Sequence, residues 1–121
     1  MTALRRICVY CGRHAGNDPT FAAGAEELGR NLAKNRIGLV YGGGSLGLMG
    51  ALARSTHEHG GEVIAVIPYF LQAPEKVFAL ADELIVTGDM HERKRIMFDR
   101  ADAFIALPGG IGTLEELFAR A

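Results

Sequence analysis

Short apolar runs alternate with segments of helical character along this sequence. The runs have the length of β-strands and lie at residues 7–10, 37–41, 63–67, 83–86 and 103–107. The run at 37–41 is nearly continuous in apolar residues, which is typical of a strand that is covered on both faces of its sheet. The pattern therefore predicts five strands.

The segments between these runs predict helices. Small or apolar residues recur at helical spacing from Phe21 to Ala33, and residues 48–59 have helix-like composition with Gly60 and Gly61 following. Asp89 stands where a helix cap is expected, with Glu92 three residues later as its capping-box partner. That helix is predicted to end near residue 100, while residues 69–80 predict a loop and a short helix.

Strands and helices that alternate with short connections favour an α/β fold, in which a parallel sheet carries helices on both faces in three layers. At 121 residues the chain has the length of a single domain, so we assign residues 1–121 to one unit. Residues 117–121 still follow a helical pattern, and no glycine cap ends it. We therefore expect the domain to be truncated at its carboxyl end.

Composition and charge narrow the class of protein. Hydrophobic residues make up 49% of the chain and charged residues 22%, which is typical of a folded globular domain. The formal net charge of −1 gives no broad positive surface for nucleic acid. No apolar run approaches the roughly 20 residues that span a bilayer, and the apolar part of the start is too short for a secretory signal. We expect a cytoplasmic protein without nucleic acid or membrane partners.

The two cysteines form a C-x-x-C motif. Cys8 and Cys11 are spaced like a redox pair or half of a zinc site, but the chain has no second pair. Because they lie within and directly after the first apolar run, strand residues that face a core are the favoured interpretation.

A glycine-rich stretch follows the second predicted strand. Gly42, Gly44 and Gly47 match G-x-G-x-x-G, the dinucleotide fingerprint. They follow the second strand instead of the first, however, and the next strand runs into Ile67 and Pro68 with no carboxylate to hold a ribose. A mononucleotide or sugar phosphate fits this stretch better, and glycines that serve only a tight turn are the alternative.

A second glycine turn follows the last predicted strand. The sequence PGGIGTLEE at 108–116 stops the strand and then opens a helix at Thr113. Glycines at the start of a helix let the backbone approach an anion, which the helix dipole attracts. Thr113 and Glu116 also form a capping box, so Glu116 is compatible with both a structural cap and a catalytic carboxylate.

The sequence MHERKR at 90–95 begins the helix before this turn. A run of charges is usually a solvated face, which is one interpretation of Arg93, Lys94 and Arg95. Arg93 lies one turn into a helix that starts at the carboxyl end of a strand, so the alternative places it along a ligand crevice. His91 is a further candidate acid or base, although a solvated histidine is the simpler interpretation.

Together these motifs resemble the LONELY GUY (LOG) family of cytokinin riboside 5′-monophosphate phosphoribohydrolases, which are often mislabelled as lysine decarboxylases. PGGIGTLEE at 108–116 matches PGGxGTxxE, and MHERK at 90–94 matches MHxRK. The glycines at 42–44, with Ser45, Gly47, Met49 and Gly50, and CVYCG at 8–12 are also similar. The similarity covers the whole chain, but family members continue past the PGGxGTxxE helix.

The resemblance implies a Rossmann-like fold and hydrolysis of the N-glycosidic bond of an N6-modified adenosine 5′-monophosphate, giving free base and ribose 5-phosphate. Arg93 and Glu116 are carried over as the catalytic residues. The substrate-binding residues implied by the resemblance are Gly43, Gly44, Ser45, Gly47, Met49, Met90, Lys94, Pro108, Gly109, Gly110, Gly112 and Thr113.

The resemblance also implies a nucleotide partner, AMP or N6-substituted AMP, and a homodimer. No metal-ligand cluster is visible in the sequence, and no lysine stands in a context that suggests a pyridoxal Schiff base, so no cofactor is expected. The alternative function on the same fold is a nucleotide or cofactor carrier, similar to molybdenum-cofactor carrier proteins, that binds without cleaving.

Overall fold

The computed structural model describes residues 4–11 and 19–107, in which strands and helices alternate. The strands are β1 (Arg6–Tyr10), β2 (Gly38–Tyr41), β3 (Val63–Pro68), β4 (Glu83–Thr87) and β5 (Ala103–Ala106). The helices are α1 (Pro19–Lys34), α2 (Gly47–Glu58), the single turn α3 (Gln72–Glu75) and α4 (Met90–Arg100), with a 3₁₀ turn at Tyr69–Leu71. Within these residues no helix has both the length and the apolar character needed to cross a membrane.

All five strands form one parallel sheet in the order β4-β3-β2-β1-β5. Each predicted strand is confirmed to within one residue at either end. The predicted helices are confirmed as α1, α2 and α4, and residues 69–80 contain the predicted loop and short helix. The α/β fold class is therefore confirmed.

The sheet is covered on both faces. Alternate residues of the central strands, such as Val9 and Leu39, pack with α1 and α2 in one hydrophobic cluster. Their neighbours along the strands, such as Cys8 and Val40, pack with Met97 of α4 in a second cluster on the other face. This alternation follows from strand geometry, which sends successive side chains to opposite faces.

The cysteine side chains pack in different places. Cys8 is fully buried in the cluster on the α4 face, while Cys11 packs against the cluster that contains α1 and α2. The interpretation of these residues as core-facing is confirmed, and an arrangement on two faces does not suit a paired redox motif.

Helices α1 and α2 cross closely at Gly29. A Cβ atom there would lie 2.8 Å from Leu52 O and 2.9 Å from both Ser55 Cβ and Thr56 N. The Ser55 hydroxyl donates to Glu26 O at 2.5 Å and so adds a polar tie across the same contact. The absence of a side chain at residue 29 is therefore what sets the distance between the two helices.

A carboxylate joins the first and last strands at their amino ends. Asp102 Oδ2 accepts the backbone N–H groups of Arg5 (2.9 Å) and Arg6 (3.1 Å). These two hydrogen bonds hold the pKa of Asp102 below its usual range. The two hydrogen bonds therefore favour the ionised carboxylate and fix the start of β5 beside β1.

Replacing Gly29 with alanine is expected to lower the free energy of unfolding by about 1–3 kcal/mol, because two of the three close atoms belong to backbone that has to move. Gly24 lies in the same helix with nothing within 4 Å of a Cβ atom, so Gly24→Ala is the control. That variant is expected to stabilise by about 0.5–1 kcal/mol, since alanine favours a helix. Urea unfolding measures both, and equal effects in the two variants would contradict the close crossing.

Replacing Asp102 with asparagine is expected to lower the melting temperature by a few degrees at pH 7. The folded-state pKa of Asp102 is depressed, so its stabilisation is fully present above the ordinary carboxyl pKa of about 4 and is lost as the pH falls through the folded value. The gap between the two proteins will therefore shrink from pH 6 to about pH 3. Asp99→Asn removes a charge from an exposed part of α4 and serves as control; a gap that is independent of pH would count against this role.

Candidate functional site

Three segments meet at the carboxyl ends of the strands, where open α/β sheets bind their ligands. The first is the stretch at 42–46 between β2 and α2, which we call the glycine loop. The second is the segment 69–78, which follows β3, and the third is the start of α4, which follows β4. Arg93 joins all three.

The start of α4 is fixed by its predicted cap. Asp89 Oδ1 accepts the Glu92 N–H at 2.7 Å, and the Thr87 hydroxyl donates to Asp89 O at 3.0 Å. The first of these contacts confirms Asp89 as the helix cap. A fixed start places Arg93 one turn into the helix and directs its side chain back over the sheet.

The Arg93 side chain is buried at the ends of two strands. Its Nε donates to Val66 O at 3.0 Å, and its Nη2 donates to Gly42 O, the first carbonyl after β2. Nη1 also lies 3.8 Å from Met90 Sδ. The guanidinium therefore connects β3 to the glycine loop, and the interpretation of Arg93 as part of a solvated face does not hold.

Glu75 provides the counter-charge for Arg93. Its Oε1 lies 3.3 Å from Arg93 Nη2, and the two side chains are only 8% and 7% exposed. Glu75 carries no signal in the sequence, because α3 is a single turn and too short to show a periodicity that predicts burial. The pair nevertheless fixes the segment after β3 against α4.

The carbonyl groups of the glycine loop are occupied by hydrogen bonds within the protein. Four successive carbonyls, from Gly42 to Ser45, each accept a hydrogen bond from a different part of the fold. The donors are Arg93 Nη2 to Gly42 O, Phe78 N to Gly43 O (2.9 Å), Tyr41 Oη to Gly44 O (3.0 Å) and Arg54 Nη1 to Ser45 O (3.1 Å). The backbone of the loop is therefore held in one conformation without a ligand.

Tyr41 is a second contributor that the sequence analysis did not single out. Its hydroxyl is buried, and burial raises the pKa of the Tyr41 phenol far above its usual value. The group therefore stays protonated and remains a donor to Gly44 O. In the sequence, Tyr41 is indistinguishable from any other apolar strand residue.

The backbone of the loop also requires glycine. Gly43 has a φ of +88° and Gly47 a φ of +57°, both in the left-handed region that side chains disfavour. Helix α2 then starts with Leu46 at its cap position, and no side chain of the described residues caps it. The N–H groups of the first turn of α2 therefore remain available to an anion at the crevice.

The structure brings several of the predicted binding residues to this place. Gly43, Gly44 and Ser45 lie in the loop, and Gly47 begins α2. Met90 and Lys94 are half-buried on α4, on either side of Arg93 in the sequence. Met49, in contrast, is buried in the core under the loop, where it supports the backbone.

The remaining predicted site residues lie outside the described residues. They are Pro108, Gly109, Gly110, Gly112, Thr113 and Glu116. They follow Leu107, whose N–H donates to Tyr10 O at 2.8 Å at the carboxyl edge of the sheet. Among residues 4–11 and 19–107, no cluster of histidine, cysteine and carboxylate side chains has the arrangement of a metal site.

Replacing Glu75 with glutamine is expected to lower the free energy of unfolding by about 3 kcal/mol, because the buried Arg93 cation loses its counter-charge. Glu83→Gln is the matched control. Glu83 pairs with Arg100 at 2.8 Å, but both side chains are more than a third exposed, so its loss is expected to cost less than about 1 kcal/mol. Denaturant unfolding compares the two, and equal losses would contradict a structural role for the buried pair.

Curated relatives of this chain carry one activity in their names. The probable cytokinin riboside 5′-monophosphate phosphoribohydrolase LOG4 of Oryza sativa subsp. japonica is 51% identical over 94% of this chain and 50% of its own length. The cytokinin riboside 5′-monophosphate phosphoribohydrolase LOG7 of Arabidopsis thaliana is 50% identical over 94% of this chain and 52% of its own length. The chain thus spans about half the length of the curated relatives it matches.

Solved structures with the same fold include cofactor carriers. The molybdenum cofactor carrier protein of Chlamydomonas reinhardtii superimposes with a TM-score of 0.80 at 29% identity, over 96% of this chain and 70% of that protein. The molybdenum cofactor binding protein of Rippkaea orientalis gives a TM-score of 0.77 at 27% identity, over 98% of this chain and 71% of that protein.

A family model described as possible lysine decarboxylase matches residues 49–120, which is more than half of the chain. This match includes β3, the segment after it and α4, which supply Val66, Glu75 and Arg93. The relatives named cytokinin riboside 5′-monophosphate phosphoribohydrolase are about 50% identical to this chain. The chain therefore belongs to the LOG family, which the model described as possible lysine decarboxylase represents.

Proposed function

We propose that this protein hydrolyses the N-glycosidic bond of an N6-modified adenosine 5′-monophosphate and releases the free base and ribose 5-phosphate. The observation that carries the proposal is the buried Arg93, held at the joined ends of β2 and β3 beside a preorganised glycine loop. We infer the type of reaction from membership of the LOG family and from the names of the relatives.

Cleavage of this bond develops positive charge on the sugar and negative charge on the departing base. A carboxylate close to the sugar stabilises the first charge and orients or deprotonates the attacking water. We assign this role to Glu116, on the strength of the PGGxGTxxE motif. The sequence pattern predicts that this carboxylate lies in the first turn of a helix that follows a glycine turn, a position that suits that chemistry.

Arg93 is the second residue that we assign to catalysis. Its cation is fixed by two carbonyl oxygens and one carboxylate, so it needs no reorganisation when charge develops nearby. Among the described residues, Arg93 Nη1 hydrogen-bonds only to the weak acceptor Met90 Sδ. This is the nitrogen that we expect to contact the nucleotide.

The phosphate and ribose need a cradle of donors. The first turn of α2 offers backbone N–H groups, and Lys94 follows Arg93 on α4. We assign phosphate and ribose binding to the glycine loop together with Ser45, Lys94, Thr113 and the 108–112 turn. A homodimer in the cytoplasm completes the proposal.

A nucleotide or cofactor carrier is the second candidate. The observation in its favour is the similarity to the structures of a molybdenum cofactor carrier protein and a molybdenum cofactor binding protein, which at TM-scores of 0.80 and 0.77 extends over nearly all of this chain. A carrier uses the same glycine loop for binding but needs no paired arginine and glutamate for cleavage.

The activity is tested by incubating the protein with AMP and with isopentenyl-AMP and measuring the free base by chromatography. We expect adenine or isopentenyladenine together with an equal amount of ribose 5-phosphate. Binding of either nucleotide without release of base would reject the hydrolase and support the carrier.

Two variants separate catalysis from binding. Glu116→Gln is expected to lower kcat at least a hundredfold and to keep nucleotide affinity within about threefold, because general catalysis contributes 10²–10⁴. Arg93→Lys keeps the charge but loses the planar fork, so its kcat is expected to fall by a similar factor. A melting curve controls for misfolding of the buried lysine variant, and full activity of the Glu116 variant would contradict the assignment.

A further inference from the structure

Arg54 makes a contact with the glycine loop that neither the motifs nor the family resemblance involves. It lies on α2, two turns from the helix start, and its Nη1 donates to Ser45 O at 3.1 Å. Helical side chains lean towards the amino end of their helix, so Arg54 points back along α2 to the glycine loop. The contact is thus a consequence of where Arg54 stands on the helix.

Ser45 is the residue at which the loop enters α2, and it is held from both sides. Its N–H donates to Lys76 O at 2.9 Å and to Glu75 O at 3.2 Å, while its carbonyl accepts from Arg54. A Cβ atom at Gly50 would collide with Ser45 O, so the helix packs directly against this carbonyl. Arg54 reaches this carbonyl along the flank of α2.

The direction of this carbonyl fixes the next backbone donor. In a planar trans peptide the C=O and the following N–H point in opposite directions. Because Ser45 O faces the flank of α2 at Gly50 and Arg54, the N–H of Leu46 points away from that flank. Rotation of this one peptide plane would put a carbonyl oxygen where an anion needs an N–H.

We propose that Arg54 is a positioning residue for the phosphate group of the nucleotide. It acts through Ser45, whose carbonyl it holds, and so sets the direction of the donors at the start of α2. The inference rests on the proposed function only in taking a nucleoside 5′-monophosphate as the ligand.

Arg54 differs from the other donors to the loop in its exposure. Arg93 and Tyr41 are buried, and Phe78 donates through its backbone, whereas the side chain of Arg54 is exposed. Replacing it therefore leaves the core intact. Arg30 lines the same groove between α1 and α2, together with Glu26, Glu58 and His59, and offers a matched control that removes the same charge.

The test compares Arg54→Gln, Arg54→Lys and the control Arg30→Gln. The measurement is the calorimetric affinity for AMP, for adenosine and for inorganic phosphate. Because Arg54→Gln removes a charge-assisted hydrogen bond at an exposed position, we expect AMP and phosphate affinities to fall about fivefold to tenfold. The adenosine affinity of Arg54→Gln is expected to stay within about twofold of the wild-type value. The AMP and phosphate affinities of Arg54→Lys are expected to lie between those of the wild type and Arg54→Gln, and those of Arg30→Gln to match the wild type.

Three results would overturn the inference: unchanged AMP affinity in Arg54→Gln, equal weakening of AMP and adenosine, or an equal effect of Arg30→Gln. A wild-type protein that binds neither AMP nor phosphate would overturn it as well. With a cleaved substrate, Arg54→Gln is expected to raise KM and leave kcat within about twofold. If the wild type binds AMP but releases no base, the proposed reaction fails while the affinities still decide the role of Arg54.

Discussion

The buried guanidinium of Arg93 is the interaction on which the carboxyl edge of this sheet depends. A cation inside a protein is costly unless its hydrogen bonds and its charge are both satisfied. Arg93 meets this demand with two carbonyl oxygens at the ends of neighbouring strands and with the Glu75 carboxylate. Because Arg93 bonds to all three, its guanidinium fixes β3, the glycine loop and the segment after β3 relative to one another.

This arrangement gives the site its rigidity. An anion site built from backbone N–H groups works only if the carbonyls of the same segment point elsewhere, because each peptide carries both. In the glycine loop four successive carbonyls are occupied by donors from β2, α2, α4 and the segment after α3. The loop therefore loses its conformational entropy on folding and not on ligand binding, so the site is preorganised.

The sequence predicted the elements of the fold because their signals are local. Apolar runs, glycines after strands and the cap at Asp89 each act within a few residues, and the structure reproduces them. A run of three basic residues does not show which one turns inward, so Arg93 was placed at the crevice only by its position one turn into a helix that follows a strand, and its catalytic role came from its motif. Glu75, Tyr41 and Arg54 carry no such mark, because their roles depend on partners that the chain brings together only on folding.

The segment from residue 69 to residue 78 is tied to the site mainly through its backbone. It supplies the counter-charge of Arg93, accepts the Ser45 N–H and donates to Gly43 O. It also carries Tyr69 and Phe70, which are exposed and therefore free to vary without loss of core packing. Substitutions at these two positions are open to selection, whereas an insertion or deletion before Phe78 would displace the glycine loop as well. We therefore expect this segment to tolerate a change of side chain at Tyr69 or Phe70 better than a change of length.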